Sequence, residues 1–242
     1  MYHRILSYNL YSPRPDDARR DRVLSVIRKI DPDLMGLQEV TPAWKEILDR
    51  SFGRRYAFVG SAREEGRGCE YAPVLYNRRK YDCTGWKTYW LSHTPEEPSK
   101  LESSKYFRVC TVAQLRRKAD GAPLLFVSVH MDYVREAAEE QAKILLEILA
   151  RYGEAPTVIC GDFNCNPESP AYAVLAASRY RDVAGTARVT ALAPTFTAFG
   201  NRFDTIDFVF ADGARAESMT VPGILIDGAY PSDHNPLICE IE

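Results

Sequence analysis

Asp162 and Asn164 are the residues best placed for chemistry, in the stretch Gly161-Asp162-Phe163-Asn164. They follow a short apolar run, Thr157-Val158-Ile159-Cys160, and precede Asn166-Pro167-Glu168-Ser169-Pro170, which breaks it. A buried strand spilling into a loop is where a rigid α/β scaffold presents reactive groups. A carboxylate two residues from a carboxamide offers hard oxygen ligands and a hydrogen-bond donor at one point. Mg²⁺ suits such oxygens and is usually held by few carboxylates and by substrate phosphate. Gly-Asp and Asp-x-Asn also suit plain turns, so the meaning of the stretch rests on its company.

That company repeats one pattern: a polar residue at or beside the end of an apolar strand. Arg4 to Leu10 reads as a strand containing Asn9, and Leu34 to Gln38 delivers Glu39 ahead of a helix opened by Thr41-Pro42. A strand over Leu124 to Val129 ends in His130. Ser232-Asp233-His234 precedes a last strand, Leu237 to Ile241. Two of only four histidines thus abut strand ends, and an Asp beside a His supplies both a metal ligand and a phosphate-facing donor.

The elements that must position these groups are legible by periodicity. Arg19 to Ile30 places Val23, Leu24, Ile27 and Ile30 on one helix face, and Asp31-Pro32-Asp33 ends it. Further helices are expected at Trp44 to Leu48, Ala137 to Ala150 and Ala171 to Ala177. Strands are expected at Arg54 to Gly60, Tyr71 to Tyr76, Thr88 to Leu91, Thr205 to Phe210 with Asp207, and Val221 to Ile226. Arg108 to Leu115 should pair with the His130 strand as a hairpin about Asp120-Gly121. Ser61 to Cys69, with Arg63, Glu64, Glu65 and Arg67, reads as a mobile, substrate-facing loop; residues 92–105 read as surface loop, and 194–200 as loop or edge strand. The alternation runs the whole length without repeats or linkers, which argues one domain, 1–242.

Composition narrows the function. With 45% hydrophobic and 26% charged residues the chain is globular, and its net charge of −2 offers no global basic field for nucleic acid. Residues 1–150 carry 25 Lys/Arg against 21 Asp/Glu, whereas 151–242 carry 6 against 12. That asymmetry would suit an anionic substrate held over a cation, and equally an ordinary charged surface. The six cysteines show no zinc-ligand spacing, and Cys110, Cys160 and Cys239 lie in apolar runs as small buried hydrophobes. No run of about 18 apolar residues predicts a membrane span, and a strand entered at once leaves no signal peptide. A cytoplasmic, monomeric protein is the default expectation.

Taken together, Ser7-Tyr8-Asn9, Leu37-Gln38-Glu39, Glu70-Tyr71 through Leu75-Tyr76, Val129-His130, Gly161-Asp162-Phe163-Asn164, Ile206-Asp207-Phe208-Val209 and Ser232-Asp233-His234 resemble, in order, the motifs of the endonuclease/exonuclease/phosphatase (deoxyribonuclease I-like) superfamily. These are metal-dependent phosphoesterases. The resemblance implies an α/β (α+β) fold, a four-layer α-β-β-α sandwich of two packed mixed sheets with the site at one edge. It implies Mg²⁺ (or Mn²⁺) at Glu39, with Asn9 and Asp233 completing or supporting the metal site. Asp162 matches the residue that orients or deprotonates water, and Asn164 the amide that holds phosphate or nucleophile. His130 and His234 match two phosphate-contacting histidines, with Glu70 and Asp207 as their carboxylate partners. Histidines so paired would have raised pKa values and stay cationic near neutrality. The chain departs from the family pattern at Tyr133, where a second His often stands, and at Glu139-Glu140, where an Arg is common.

The reading favoured is a Mg²⁺-dependent phosphoesterase acting on a phosphodiester or a small phosphorylated molecule. The alternative is a nuclease acting on short or single-stranded DNA or RNA, with Arg54, Arg55, Arg63, Arg67, Arg78, Arg79 and Arg108 as a basic rim. Trp86, Tyr89, Trp90, Phe196 and Phe199 would then stack bases. A non-catalytic binding protein on the same fold is disfavoured because every expected core position is occupied. Arg108, Tyr76 and Phe196 are the candidate substrate contacts.

Overall fold

A computed structural model describes residues 3–242; the Arg67 side chain, part of the charged loop and of the expected basic rim, lies outside the described residues. The chain runs β1 (His3–Asn9), α1 (Asp17–Ile30), β2 (Leu34–Gln38), α2 (Pro42–Phe52), β3 (Tyr56–Val59), β4 (Val74–Asn77), β5 (Tyr81–Trp90), β6 (Val109–Arg117) and β7 (Pro123–His130). It continues through α3 (Arg135–Ala150), β8 (Thr157–Asp162), α4 (Pro170–Ala176), β9 (Arg181–Asp182), β10 (Val189–Leu192), β11 (Asp207–Asp212), β12 (Ala216–Val221) and β13 (Leu237–Ile241). The helices start where local chemistry places them. Asp16 caps α1 by accepting the Arg19 N–H at 2.7 Å. Thr41 and Ser169 cap α2 and α4, each followed by proline at the first helical position.

One sheet has the order β10-β12-β13-β1-β2-β4-β3 and the other β5-β6-β7-β8-β11-β9. Both are mixed: β1–β2, β7–β8 and β10–β12 are parallel, the other pairs antiparallel. The sheets pack face to face over Ile5, Leu34, Val74, Phe126, Val158, Val209 and Cys239. Val23, Ile27 and Trp44 seal α1 and α2 onto the outer face of the first sheet. Leu145, Ile148 and Leu175 seal α3 and α4 onto the second. Three apolar interfaces make four layers, the α-β-β-α sandwich expected.

The sheets approach closely at Gly36, where a Cβ would stand 2.4 Å from the Cys160 Sγ and 3.2 Å from the Ser128 Oγ. Cys110, Cys160 and Cys239 are buried, and all six cysteines are free thiols. The differences from the sequence reading lie at sheet edges. The strand β5 is ten residues long rather than four: between buried Tyr81 and Thr88 this edge strand is partly exposed, and its polar residues break up the apolar pattern. The strand expected at 221–226 ends instead at Val221. Pro222 has no N–H to donate, and Ile224 and Ile226 pack inward from irregular chain. The exposed edge strand β10 gave no signal at all.

Candidate active site

Strand register gathers the polar residues. In the second sheet His130 lies directly across from Asp162, and Asp207 faces Asp162 from the other side. In the first sheet Asn9 pairs with Gln38, and Glu39 follows in the left-handed region (φ 55°). β13 runs antiparallel to β1 with Leu237 opposite Ser7, so residues 232–234 lie just past the end of β1. Ser232 Oγ fastens them there, donating to the Asn9 carbonyl at 2.7 Å.

Gly161 has a steric reason to precede Asp162. A Cβ there would sit 2.0 Å from the Val129 carbonyl oxygen on β7. That atom is backbone and cannot swing away. Gly161→Ala is expected to lower unfolding free energy by about 3 kcal/mol, the upper part of the range for overpacking. Urea unfolding would measure it, and a change within experimental error would refute this account of the motif.

The two sheet edges meet at Asn9. Its Nδ2 donates to Asp162 Oδ2 at 3.0 Å and to Glu39 Oε1 at 3.3 Å, while its Oδ1 accepts the Tyr11 N–H at 3.0 Å. In this arrangement Asn9 clamps two carboxylates with its amide nitrogen. Glu39 Oε2 also accepts the Ser12 N–H at 2.7 Å. Asn164 is left-handed (φ 49°); its N–H donates to Asp162 Oδ1 and its Nδ2 to the Met131 carbonyl, both at 2.9 Å. Glu39, Asp162, Asp233, His130, His234 and Asn164 line one open cavity of about 480 Å³.

The two histidines differ. His234 Nδ1 donates to Asp207 Oδ2 at 2.8 Å, and its Nε2 faces Asp162 Oδ2 at 3.7 Å. Burial alone would lower its pKa, but the charge and hydrogen bond of Asp207, with help from Asp162 and Asp233, raise it to about 10. His130 departs from expectation. The partner of Glu70 is Arg63 (Nη1 to Oε2, 2.9 Å), and Arg108 Nη1 donates to His130 Nε2 at 2.7 Å. Burial, then Arg108 and Arg63, hold His130 well below the ordinary histidine range, so it is neutral at pH 7. The cation on that side of the cavity is Arg108, itself only 5% exposed.

Other expectations need correcting. Tyr76 is across from Leu34, at the start of β2, five residues from Glu39. At about 3.3 Å per residue that is roughly 16 Å from the site, and Tyr76 packs against the core between the sheets. Phe196 does line the cavity, its ring centroid 5.0 Å from that of His234. The basic rim does not assemble: Arg55 pairs with Asp31, and the Arg78 N–H bonds the Arg55 carbonyl beyond β4, away from the cavity. Tyr89 and Trp90 are buried, Trp90 donating to the Arg63 carbonyl at 2.7 Å. Arg63 is buried too, so the segment around it is tied down by its ion pair rather than presented to substrate. Tyr106, Tyr133, Arg202 and Asp204 line the cavity without having been singled out as site residues. Their only sequence signal is position, on loops that follow or precede strands carrying site residues.

The donor set fits a hard divalent cation. Burial raises the pKa of Asp162, and Asp207 raises it further. Burial raises Asp233 as well, His234 opposing and Glu39 adding to the effect. Carboxylates crowded in a poorly hydrated cleft repel one another, and a cation relieves that repulsion. Ligand-type atoms of Asp162, Asp207 and His234 lie within 4.8 Å of one another. A His234 imidazolium bonded to Asp207 has no lone pair to offer a cation.

The chain matches the model of the Endonuclease/Exonuclease/phosphatase family over residues 6–234. It is 24% identical to Nocturnin of Drosophila melanogaster over 277 residues, covering 93% of this chain and 42% of that protein. It thus spans about two fifths of the length of the curated relatives it matches. An endonuclease/exonuclease/phosphatase structure from Bacteroides vulgatus superposes with a TM-score of 0.92 at 28% identity, covering 100% of this chain and 99% of that one. A mannosyl-6-phosphatase from Bacteroides thetaiotaomicron superposes with a TM-score of 0.87 at 24% identity, covering 99% of each chain. With the family matched across nearly its whole length, the chain belongs to the Endonuclease/Exonuclease/phosphatase family.

Proposed function

We propose that this protein is a divalent-metal-dependent phosphoesterase that hydrolyses its ester by attack of water. The observation that carries the reading is Asp162: Asn9 of the first sheet donates to its Oδ2, the Asn164 N–H donates to its Oδ1, and His130, Asp207 and His234 stand around it. Glu39 and Asp233 would hold Mg²⁺ or Mn²⁺, with Asn9 keeping Glu39 and Asp162 at their spacing. When bound, the metal supplies charge neutralisation for the phosphoryl oxygens.

The chain's own groups do the rest. Asp162, with its pKa raised toward neutrality, takes the proton of the attacking water. His234 keeps a proton on Nε2, because Asp207 holds Nδ1, and donates it as a hydrogen bond to a phosphoryl oxygen. Arg108 adds a fixed positive charge beside neutral His130. Asn164 braces Asp162 from the loop that follows.

The family match and the mannosyl-6-phosphatase likeness support a phosphoester substrate. A nucleic-acid end is the second reading, favoured by aromatics on the cavity rim and its bordering segment: Tyr106, Tyr133, Phe199 and Phe203 are all exposed. Turnover of bis-p-nitrophenyl phosphate is expected with Mg²⁺ or Mn²⁺ and should vanish in EDTA, returning when metal is restored. Turnover that persists through chelation would sink the proposal.

A further inference from the structure

A second cavity of about 370 Å³ opens beside the reaction cleft, between the start of α3 and the loop leading to α4. Asn164, Tyr133 and Arg202 line both cavities, so a group seated in the second can remain bonded to a phosphate at the first. Its volume falls in the range of small-ligand pockets, roughly 300–1,000 Å³.

The lining chemistry says what kind of group. Arg135 and Arg202 are balanced by Glu168 and Asp204, and Arg202 Nε is already 2.5 Å from Asp204 Oδ2. Balanced charge is a poor seat for a second phosphate or a run of phosphates, which need surplus cations. Carboxylates (Glu168, Asp204), amides (Asn164, Asn166) and hydroxyl-bearing residues (Tyr133, Ser169) share the wall, so it offers both acceptors and donors. A hydroxyl group both donates and accepts, and matches that mixture. The small buried Ala138, Cys165 and Ala171 leave an apolar floor on which a ring's C–H face can rest. A nucleobase wants a flat stacking surface, whereas the one aromatic residue among the described residues lining this cavity, Tyr133, is engaged with Tyr106 at 67° between ring planes.

We infer that the side cavity seats a neutral, hydroxyl-rich group, a sugar or polyol, whose phosphoester lies in the main cleft. The inference rests on the phosphoesterase reading and narrows it to sugar-phosphate-like substrates.

The test compares kcat/KM, with Mg²⁺, for hexose 6-phosphates, ribose 5-phosphate, 5′-nucleotides, short single-stranded DNA and RNA, and n-butyl phosphate as an ester without hydroxyls. Bis-p-nitrophenyl phosphate serves as the reference for the reaction itself. Sugar phosphates are expected to exceed n-butyl phosphate at least tenfold. The double variant Asn166→Leu with Glu168→Leu alters two exposed side chains of the second cavity alone. It should lose at least tenfold on sugar phosphates, mainly through KM, and stay within twofold on n-butyl and bis-p-nitrophenyl phosphate. Equal kcat/KM for sugar and butyl esters, an equal fall on every substrate, or a preference for oligonucleotides would overturn the inference while leaving phosphoester hydrolysis standing. If the wild type hydrolyses none of the esters, the underlying reading fails and takes this one with it.

Discussion

Glu39→Ala is expected to lower kcat/KM on every accepted phosphoester by on the order of a thousandfold. Metal stabilisation of transition-state charge is worth several kcal/mol, and each 1.36 kcal/mol is a factor of ten. Glu39 is the carboxylate that the Ser12 N–H and Asn9 aim at the cavity, and Asp233 alone would bind a hard cation weakly. The fold should survive. Glu39 gives up two hydrogen bonds but also removes a negative charge that raises Asp233. A second readout separates metal loss from general damage. Metal that binds only the folded state raises the melting temperature with concentration, so Mg²⁺ or Mn²⁺ should stabilise the wild type and leave Glu39→Ala unmoved. Equal metal-induced shifts in the two proteins would remove Glu39 from the metal site.

Asp207→Asn is the second large effect, a loss on the order of 10²–10³ in kcat/KM near pH 8, the usual size for a preorganised donor. Its signature is the pH dependence. In the wild type the His234 pKa stands at about 10, so the imidazolium persists across the neutral range and is lost only as pH rises through about 10. Without the Asp207 charge and hydrogen bond, burial is opposed only by Asp162 and Asp233, and the histidine loses its proton at a lower pH than in the wild type. The wild-type-to-variant activity ratio should therefore be small near pH 5.5 and grow as pH rises toward 8. Stability follows the same sign. A pKa raised in the folded state contributes stability that is complete below about 6.5 and disappears as pH climbs through about 10. The wild type should lose its stability advantage over Asp207→Asn across that window. An activity ratio flat from pH 5.5 to 9 would show that the pair does not hold the proton.

The arginine–histidine exchange bears on how these experiments read. His130 would be taken from its spacing as the twin of His234, yet the two sit in opposite electrostatic surroundings. Both stand beside Asp162, but His234 donates to Asp207 whereas His130 accepts a hydrogen bond from a buried guanidinium. Only His234 should impose a high-pH limb on activity.

Much of the site is legible in the sequence. The strand ends carrying Asn9, Glu39, His130, Asp162 and His234 were legible because a polar residue after an apolar run is a local feature, set by neighbours in the chain. The resemblance of seven stretches, in order, to one superfamily implied the four-layer fold. Edge strands were less legible: β10 is exposed throughout and the middle of β5 is mostly exposed, so hydrophobicity had little to mark there.

What the sequence alone determined is which residue types stand at the ends of which strands. Which charge answers which was decided only in three dimensions. Glu70 goes to Arg63 and not to His130, Arg108 takes the place beside His130, and Tyr76 is carried to the far end of β4. Those choices are competitions among groups brought within a few ångströms by register and sheet packing, and an ion pair's partner depends on distance and burial, neither of which is written in the order of residues.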